Sequence, residues 1–398
     1  MQNIIIDKPY KFVPPKQYSF WAHLMMPFLS GIVNRDYGIE SSEFIGLEKL
    51  KNSLDAGHGI VLAPNHCRPC DPIVVGMMAS SFSQPLFIMA SWHLFMQGAL
   101  MRRLLTRLGA FSMYREGLDR EAIKCAVQIL TEAKRPLVIF PEGVVSRTND
   151  RLNHLMEGTV FIARNAAKQR ASLPKPGKVV IHPVAIRYLF KGNIDTALKP
   201  TLVEIEHRLS WRPQNDLSIK ERIFKVGDAL LSLKEIEYFG KPQPGGLGER
   251  TRKLIDHILD PIEKEWITGK KEEVVTGRIK ALRAAILPEM VSGEIDENER
   301  ARRWRQLADL YLAQQLYFYP IDYFSDPPTA EQMLETVERF EEDLTDVARI
   351  YRPMHVAIQI GEAIEVSPTR DRGAETDPVM ARLRSELERM LGEMKGKV

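Results

Sequence analysis

His66 and Asp71, five residues apart in APNHCRPCDP, are the first side chains in this sequence whose types and spacing suggest chemistry. They follow an apolar run, Gly59–Ala63, that reads as a strand ending in Pro64-Asn65, so both fall at a sheet rim, where α/β proteins place their sites. One turn of loop or nascent helix brings the Asp71 carboxylate back to the imidazole. A carboxylate on one ring nitrogen fixes the tautomer and stabilises the imidazolium, leaving the other nitrogen to take a proton from a hydroxyl. The second candidate is Glu142 in LVIFPEGVVSRTND. There Pro141 and Gly143 shape a tight turn that presents the carboxylate at a strand's C-terminal rim, able to accept hydrogen bonds from a polyol. Taken singly, each segment is commonplace.

The elements that must position these groups alternate from about Arg35 to Arg187. Strand candidates are Gly59–Ala63, Leu86–Ala90, Leu137–Phe140 and Val179–Ile186. Between them, helix-period segments occupy Phe44–Ala56, Pro72–Ser80, Met96–Leu108, Arg120–Ala133 and Glu157–Lys168. This is the signature of an α/β sheet with helices packed on it. In Thr201–Trp211, Val203, Ile205, Leu209 and Trp211 alternate with charged residues, which predicts one more half-exposed strand closing the unit. From residue 211 to about 350 the texture is helical and charged, with breaks at Lys241–Gly246 and Asp326–Pro328. Its segments are Leu217–Leu233, Glu249–Trp266, Glu272–Ile286, Glu297–Tyr317 and Ala330–Tyr351. His355–Ile360 restores a strand and Asp377–Lys395 closes the chain as an amphipathic helix. The expected organisation is therefore an N-terminal docking or packing segment, 1–34, an α/β domain, 35–210, a helical insertion, 211–350, and a closing strand and helix, 351–398. The sequence shows no internal repeat and no low-complexity tract.

The 398 residues carry 55 basic and 52 acidic side chains, a net charge of +3 that argues against nucleic acid as a partner held by overall charge. Three cysteines are too few for a disulfide framework, which favours a reducing compartment. Cys67 and Cys70 beside His66 have the spacing of a redox pair or half a metal site. Cys125, in EAIKCAVQIL, reads as a small core hydrophobe and offers them no partner. The N-terminus lacks the pattern of a secretory signal. Two stretches without formal charge, Gln17–Asn34 and Pro72–Trp92, are broken by proline, glycine and serine, and read as buried or interface-lying segments rather than membrane spans. Gln17–Asn34, rich in Phe, Trp, Leu and Met and flanked by Lys8, Lys11, Lys16 and Arg35, is a candidate for docking on a membrane surface or for packing on the core. Leu100–Arg107, with Arg102, Arg103 and Arg107, is a second such candidate. His182 reads as a satisfied core histidine, and the aromatics of Tyr311–Phe324 as inter-helix core or the lining of an acyl groove.

Together these segments resemble the phospholipid/glycerol acyltransferase family, 1-acylglycerol-3-phosphate acyltransferase-like. Its four ordered blocks appear here as NHCRPCD (Asn65–Asp71), GAFSMYR (Gly109–Arg115), FPEGVVSR (Phe140–Arg147) and VIHPVAI (Val180–Ile186), and MEGTVFIAR (Met156–Arg164) fits the family's helix between the last two. The resemblance implies a mixed sheet flanked by helices, with the helical region inserted into it. It implies His66 as general base, Asp71 as its orienting partner, and Arg115, Glu142, Gly143, Ser146 and Arg147 around the acceptor and its phosphate. The implied reaction moves a fatty acyl group from an acyl thioester, acyl-coenzyme A or acyl-carrier protein as co-substrate, to a glycerol-phosphate or lysophospholipid hydroxyl, lysophosphatidate first. It implies no cofactor and no metal, and a cytoplasmic enzyme peripheral to the membrane. A lipid-binding or scaffold protein that keeps the fold without turnover is the alternative. Two departures bear on the acceptor: Val144-Val145-Ser146 follows FPEG where many relatives have Thr-Arg-Ser, and Ser91-Trp92-His93-Leu94 stands where relatives often carry a lysine.

Overall fold

Runs that are apolar without alternation form strands buried on both faces, and the sheet is built around two of them, in which every residue is buried. The computed structural model describes residues 7–269, 272–319, 321–347, 349–370, 373 and 376–395. The chain opens with α1 (Phe20–Met25) and α2 (Leu29–Tyr37), then β1 (Ile39–Ile45), α3 (Leu47–Asp55), β2 (Gly59–Pro64), α4 (Asp71–Ser80) and β3 (Phe87–Ser91). It continues through α5 (Trp92–Phe95), α6 (Ala99–Arg107), β4 (Ala110–Met113), α7 (Arg120–Glu132), β5 (Leu137–Val138), α8 (Gly158–Ala171) and β6 (Val179–Phe190). Six helices follow: α9 (Ile194–Arg208), α10 (Ile219–Phe239), α11 (Leu247–Trp266), α12 (Val275–Ser292), α13 (Glu297–Tyr317) and α14 (Ala330–Thr345). β7 (Met354–Ile360), β8 (Ile364–Glu365) and α15 (Pro378–Lys395) end the chain.

Contacts divide the chain into two units, Lys11–Gly192 with Ile350–Val398 and Met1–Tyr10 with Asn193–Arg349. The first holds an eight-stranded mixed sheet in the order β1-β7-β6-β2-β5-β3-β4, with β8 also paired to β6. Pairing is parallel except where β7 and β8 meet β6. Helices α7, α8 and α15 cover one face, burying Leu130, Ala163, Leu383 and Leu387 against Val61, Leu137 and Ile181. Asp71–Ser80, whose residues from Pro72 on open the second uncharged stretch, is a helix buried nearly all round, with Val74, Val75, Met77, Met78 and Ala79 in the core. In the first stretch α1 buries no residue and α2 buries Val33 alone. Among the described residues no helix is long and apolar enough to cross a membrane.

Several expectations are corrected. Thr201–Trp211 is not a strand; it lies mostly in α9, whose buried residues Leu198, Thr201, Leu202, Ile205 and Glu206 follow helical spacing. The alternation of Val203, Ile205, Leu209 and Trp211 is incidental to that stripe. The unit boundary accordingly falls before α9, at 192/193 rather than 210/211, and residues 11–34 group with the α/β unit. The segment Phe44–Ala56 becomes helical only from Leu47, because Ile39–Ile45 adds a parallel edge strand to β7 through polar, exposed Glu40, Ser41, Ser42 and Glu43. The last insertion helix stops at Thr345, where Asp346 turns left-handed, instead of reaching Tyr351.

The helical unit does contain a repeat, one of ion pairs rather than of apolar residues. Arg222, Arg250 and Arg278 fall 28 residues apart, and each grips a carboxylate of the preceding helix, Glu206, Glu235 and Glu263, through Nε and one Nη. Glu206 and Glu235 also accept the backbone N–H eight residues on, from Gln214 and Gln243, so the same carboxylate closes the turn. Arg250 further reaches Asp228 and Ser232, and Arg278 reaches Asp256 and Asp260. Bidentate pairing satisfies the buried charges while fixing the angle of entry of each helix. The apolar core of this unit runs through Leu254, Leu259, Leu282, Ile286, Leu307 and Leu310. Ala313 in that core and Tyr317 packed against it, with buried Phe318 and Tyr323, make part of the Tyr311–Phe324 segment inter-helix packing. Pro320 of that segment lies outside the described residues.

Candidate active site

The parallel strands β2, β5, β3 and β4 end at one rim of the sheet, and the sequence delivers its polar residues there. β2 stops at Pro64, paired with Val184, while β6 continues to Phe190, so one edge of β6 has no strand to pair with. Two asparagines complete the ladder. Asn65 donates to the Ile186 carbonyl at 3.0 Å and accepts its N–H at 2.7 Å. Asn149 does the same for Tyr188 at 2.7 Å each way. Buried backbone groups require partners, so Asn65→Ala is expected to cost about 2–3 kcal/mol. Chemical denaturation checks this: an unchanged midpoint would mean that solvent satisfies Ile186.

The His66 imidazole donates from Nδ1 to Asp71 Oδ2 at 2.8 Å and stacks on Phe140 with ring centroids 4.1 Å apart. Its Nε2 has no hydrogen-bond partner among the described residues. Asp71 is fully buried, yet three donors satisfy it. Oδ2 also takes the Arg68 N–H at 2.9 Å, and Oδ1 takes the Tyr188 hydroxyl at 2.6 Å. It opens α4 with Pro72 behind it, where a helix N-terminus favours negative charge. Burial, and then the Asp71 charge, push the Tyr188 phenol well above its ordinary range, so it remains a donor. Tyr188 is missing from the candidates of the sequence; its signal was a hydroxyl in a strand buried along its whole length, which must find a partner.

Glu142 is engaged by the protein's own N–H groups. Oε1 accepts the His66 backbone N–H at 2.7 Å, and Oε2 accepts the N–H and the side-chain amide of Asn153 at 3.1 and 2.9 Å. Both oxygens therefore fix the loop, and burial raises the carboxyl above its ordinary value against these bonds. The His66 carbonyl in turn accepts the Ser146 N–H at 2.7 Å. Gly143 is left-handed, at φ 71°, and a Cβ there would meet Met156 Sδ at 2.5 Å, so any side chain would be strained and would displace Met156. Arg147 also turns left-handed, at φ 57°, and is half-buried. From α15, Arg384 Nη1 donates to the Asn153 carbonyl at 3.0 Å, which links the closing helix to the Glu142 loop.

Arg115 is not brought onto His66. It follows β4 at the far side of the rim, about 14 Å away at three strand spacings. Ser91 pairs with Met113, which puts His93 and Arg115 two residues beyond the same rung. The half-buried Arg115 has no hydrogen-bond or ion-pair partner among the described residues. His93 Nδ1 bonds to Ser91 Oγ at 2.8 Å, and burial, then Arg115, push its pKa down to about 4. A depressed base loses stability on the acid side: the unfolded chain takes up the proton below pH 6.5, the folded one only near 4. His93→Gln should accordingly remove a stability decline between those values worth at most about 3 kcal/mol, read by comparing wild-type and variant denaturation across pH.

Cys67 and Cys70 are buried thiols in no disulfide, and burial, then Asp71, push Cys70 up to about 12, far from a reactive thiolate. Among the described residues no cluster of three or more His, Cys, Asp or Glu could hold a metal. His182 is fully buried between the Gly361 carbonyl and Ser53 Oγ, both at 2.9 Å, as a core histidine should be. A comparison with curated proteins finds no match. Residues 41–187, which span His66, Asp71, Arg115 and Glu142, match the family model described as Acyltransferase, so this segment of the chain is an acyltransferase domain.

Proposed function

We propose that the protein transfers a fatty acyl group from an acyl thioester, carried by coenzyme A or acyl-carrier protein, to the hydroxyl of a lysophospholipid or glycerol phosphate, with lysophosphatidate as the leading acceptor. One observation carries the reading: the His66 ring is held at Nδ1 by a buried, fully satisfied carboxylate, with Nε2 left open. Nε2 takes the proton of the acceptor hydroxyl as its oxygen attacks the thioester carbon. The C–S bond then breaks and the imidazolium returns the proton to the departing sulfur. Asp71 steadies the charged ring throughout, and no enzyme nucleophile is needed. The N–H groups of His66, Arg68, Gly143 and Ser146 are already engaged, so the donors to the tetrahedral oxyanion are other groups. Arg115 receives the acceptor phosphate, with a neutral His93 beside it in the segment where relatives often carry a lysine.

In the same reading the protein works peripherally at a cytoplasmic membrane surface. Phe20, Trp21, Leu24 and Phe28 are exposed on the first two helical turns, as are Leu100, Met101 and Leu104 on α6 beside Arg102 and Arg103. Arg107 stacks over Trp21 at 5.0 Å and ties the two patches together. The test is thiol release from acyl-coenzyme A and acyl-carrier-protein donors with a panel of lyso-acceptors, together with flotation on anionic vesicles. Acceptor-dependent release lost in folded His66→Ala supports the transferase. Lipid binding without release from any pair would make the chain a lipid-binding protein of this fold.

A further inference from the structure

The two oxygens of Asp71 are served from different parts of the chain. Oδ2 faces the His66 ring and the Arg68 N–H, both from the loop after β2, whereas Oδ1 is met from β6 by the Tyr188 hydroxyl at 2.6 Å. The phenol is held in place for this. It is fully buried beneath the Arg68 guanidinium, 5.3 Å from the ring centroid, and its backbone N–H and carbonyl are both pinned by Asn149 at 2.7 Å. Behind the hydroxyl stands the Cys70 thiol, with Sγ 3.3 Å from Tyr188 Oη. The single phenol proton goes to Asp71, so the thiol donates and Oη accepts. Cys70 keeps its proton, since burial, then Asp71, hold the thiol up at about 12. The donors therefore run one way, from Cys70 to Tyr188 to Asp71, and each bond polarises the next.

A buried carboxylate with one bare oxygen would hold the imidazolium so tightly that His66 stayed charged before any acceptor hydroxyl arrived, and a general base serves best when it binds and releases its proton near the working pH. We propose that Tyr188, backed by the Cys70 thiol, is a positioning residue whose hydroxyl draws off part of the Asp71 charge and so sets the proton affinity of the His66–Asp71 pair. For catalysis this rests on the reading of His66 as the base of acyl transfer, but the proton affinity is measurable without turnover. The other charged or titratable groups around the pair are Glu142 at the His66 peptide, Arg68 and Cys67 beside Tyr188, and Tyr37 of α2 facing Cys70. All of them persist in the two variants that follow, so a change there reads the hydroxyl or the thiol.

In full-length protein labelled in its histidine rings, the His66 ring signal is followed by nuclear magnetic resonance between about pH 5 and 9. The signal is identified by its loss in His66→Gln, and the pH profile of kcat/KM is recorded alongside wherever turnover is found. Tyr188→Phe keeps the ring and removes the hydroxyl. The ring titration and the acid limb of the profile should both move to higher pH, by about half a pH unit or more, and kcat should fall about tenfold with the donor KM unchanged. Cys70→Ala leaves the phenol in place and should move both in the same direction by a smaller step. If Tyr188→Phe does not fold, as judged by far-UV circular dichroism, Cys70→Ala decides: a move to higher pH supports the assignment, and an unmoved ring signal overturns it. In folded Tyr188→Phe, a ring signal that titrates with the wild type overturns it too, even where kcat has fallen, and reduces Tyr188 to packing. A ring signal that moves in a protein without turnover from any donor supports the assignment and removes only the acyl-transfer reading.

Discussion

Asp71→Asn lowers turnover in the proposed acyl transfer about 10³- to 10⁴-fold while the donor KM stays near the wild-type value. All three contacts of Asp71 ask it to accept: from His66 Nδ1, from the Arg68 N–H and from the Tyr188 hydroxyl. An asparagine can meet this arrangement in one orientation, with its NH₂ turned to a phenol that must reverse its own role. Even then the negative charge that stabilises the imidazolium is gone. In the other orientation the amide presents a donor to Nδ1 and holds the ring in the wrong tautomer. The measurement is steady-state kinetics on protein whose far-UV circular dichroism and urea midpoint are checked first. Activity within tenfold of wild type would remove Asp71 from the role of steadying the imidazolium.

Glu142→Ala should destabilise the α/β unit by about 3–5 kcal/mol and, at temperatures where it still folds, reduce turnover by at least about 10²-fold. Three N–H groups lose their acceptor in a site that is 5 % exposed, and the His66 peptide loses the contact on its N–H side. Glu142→Gln keeps one oxygen but turns an NH₂ toward N–H donors, so it should recover only part of the stability. Urea denaturation and kinetics on the same preparations separate the two effects. A stable, active Glu142→Ala would mean that the loop is held without it.

Local spacing encodes the dyad, and it was legible for that reason: His66 and Asp71 meet within one turn, and strand, proline and helix start all lie in the same ten residues. The mixed sheet with flanking helices was legible from long apolar runs in the same way. What stayed hidden is carried by partners far along the chain. Tyr188 reaches Asp71 across 117 residues, and Arg384 reaches Asn153 across 231. Glu142 shows the same limit: its turn was readable, but the backbone N–H that its carboxylate holds lies 76 residues away. The misread Thr201–Trp211 and the unseen repeat share one cause. Apolar patterning was followed, whereas Glu206 is a buried charge held by Arg222, and the 28-residue period belongs to such charges.

Those latches also bear on how the helical unit finds its pairing. Three near-equivalent arginines and three near-equivalent glutamates allow mispairing, such as Arg250 with Glu206, that would satisfy each guanidinium almost as well. Native partners stand 15 or 16 residues apart and the next-neighbour mispair 44. Loop closure disfavours the longer ring by only about 1 kcal/mol per latch, roughly a fivefold bias. Chain connectivity alone thus leaves a frustrated landscape. The added partners separate these turns only in part: Asp228 and Asp256 hold equivalent places, 22 residues before their arginines, whereas Ser232 and Asp260, 18 residues before, differ in charge.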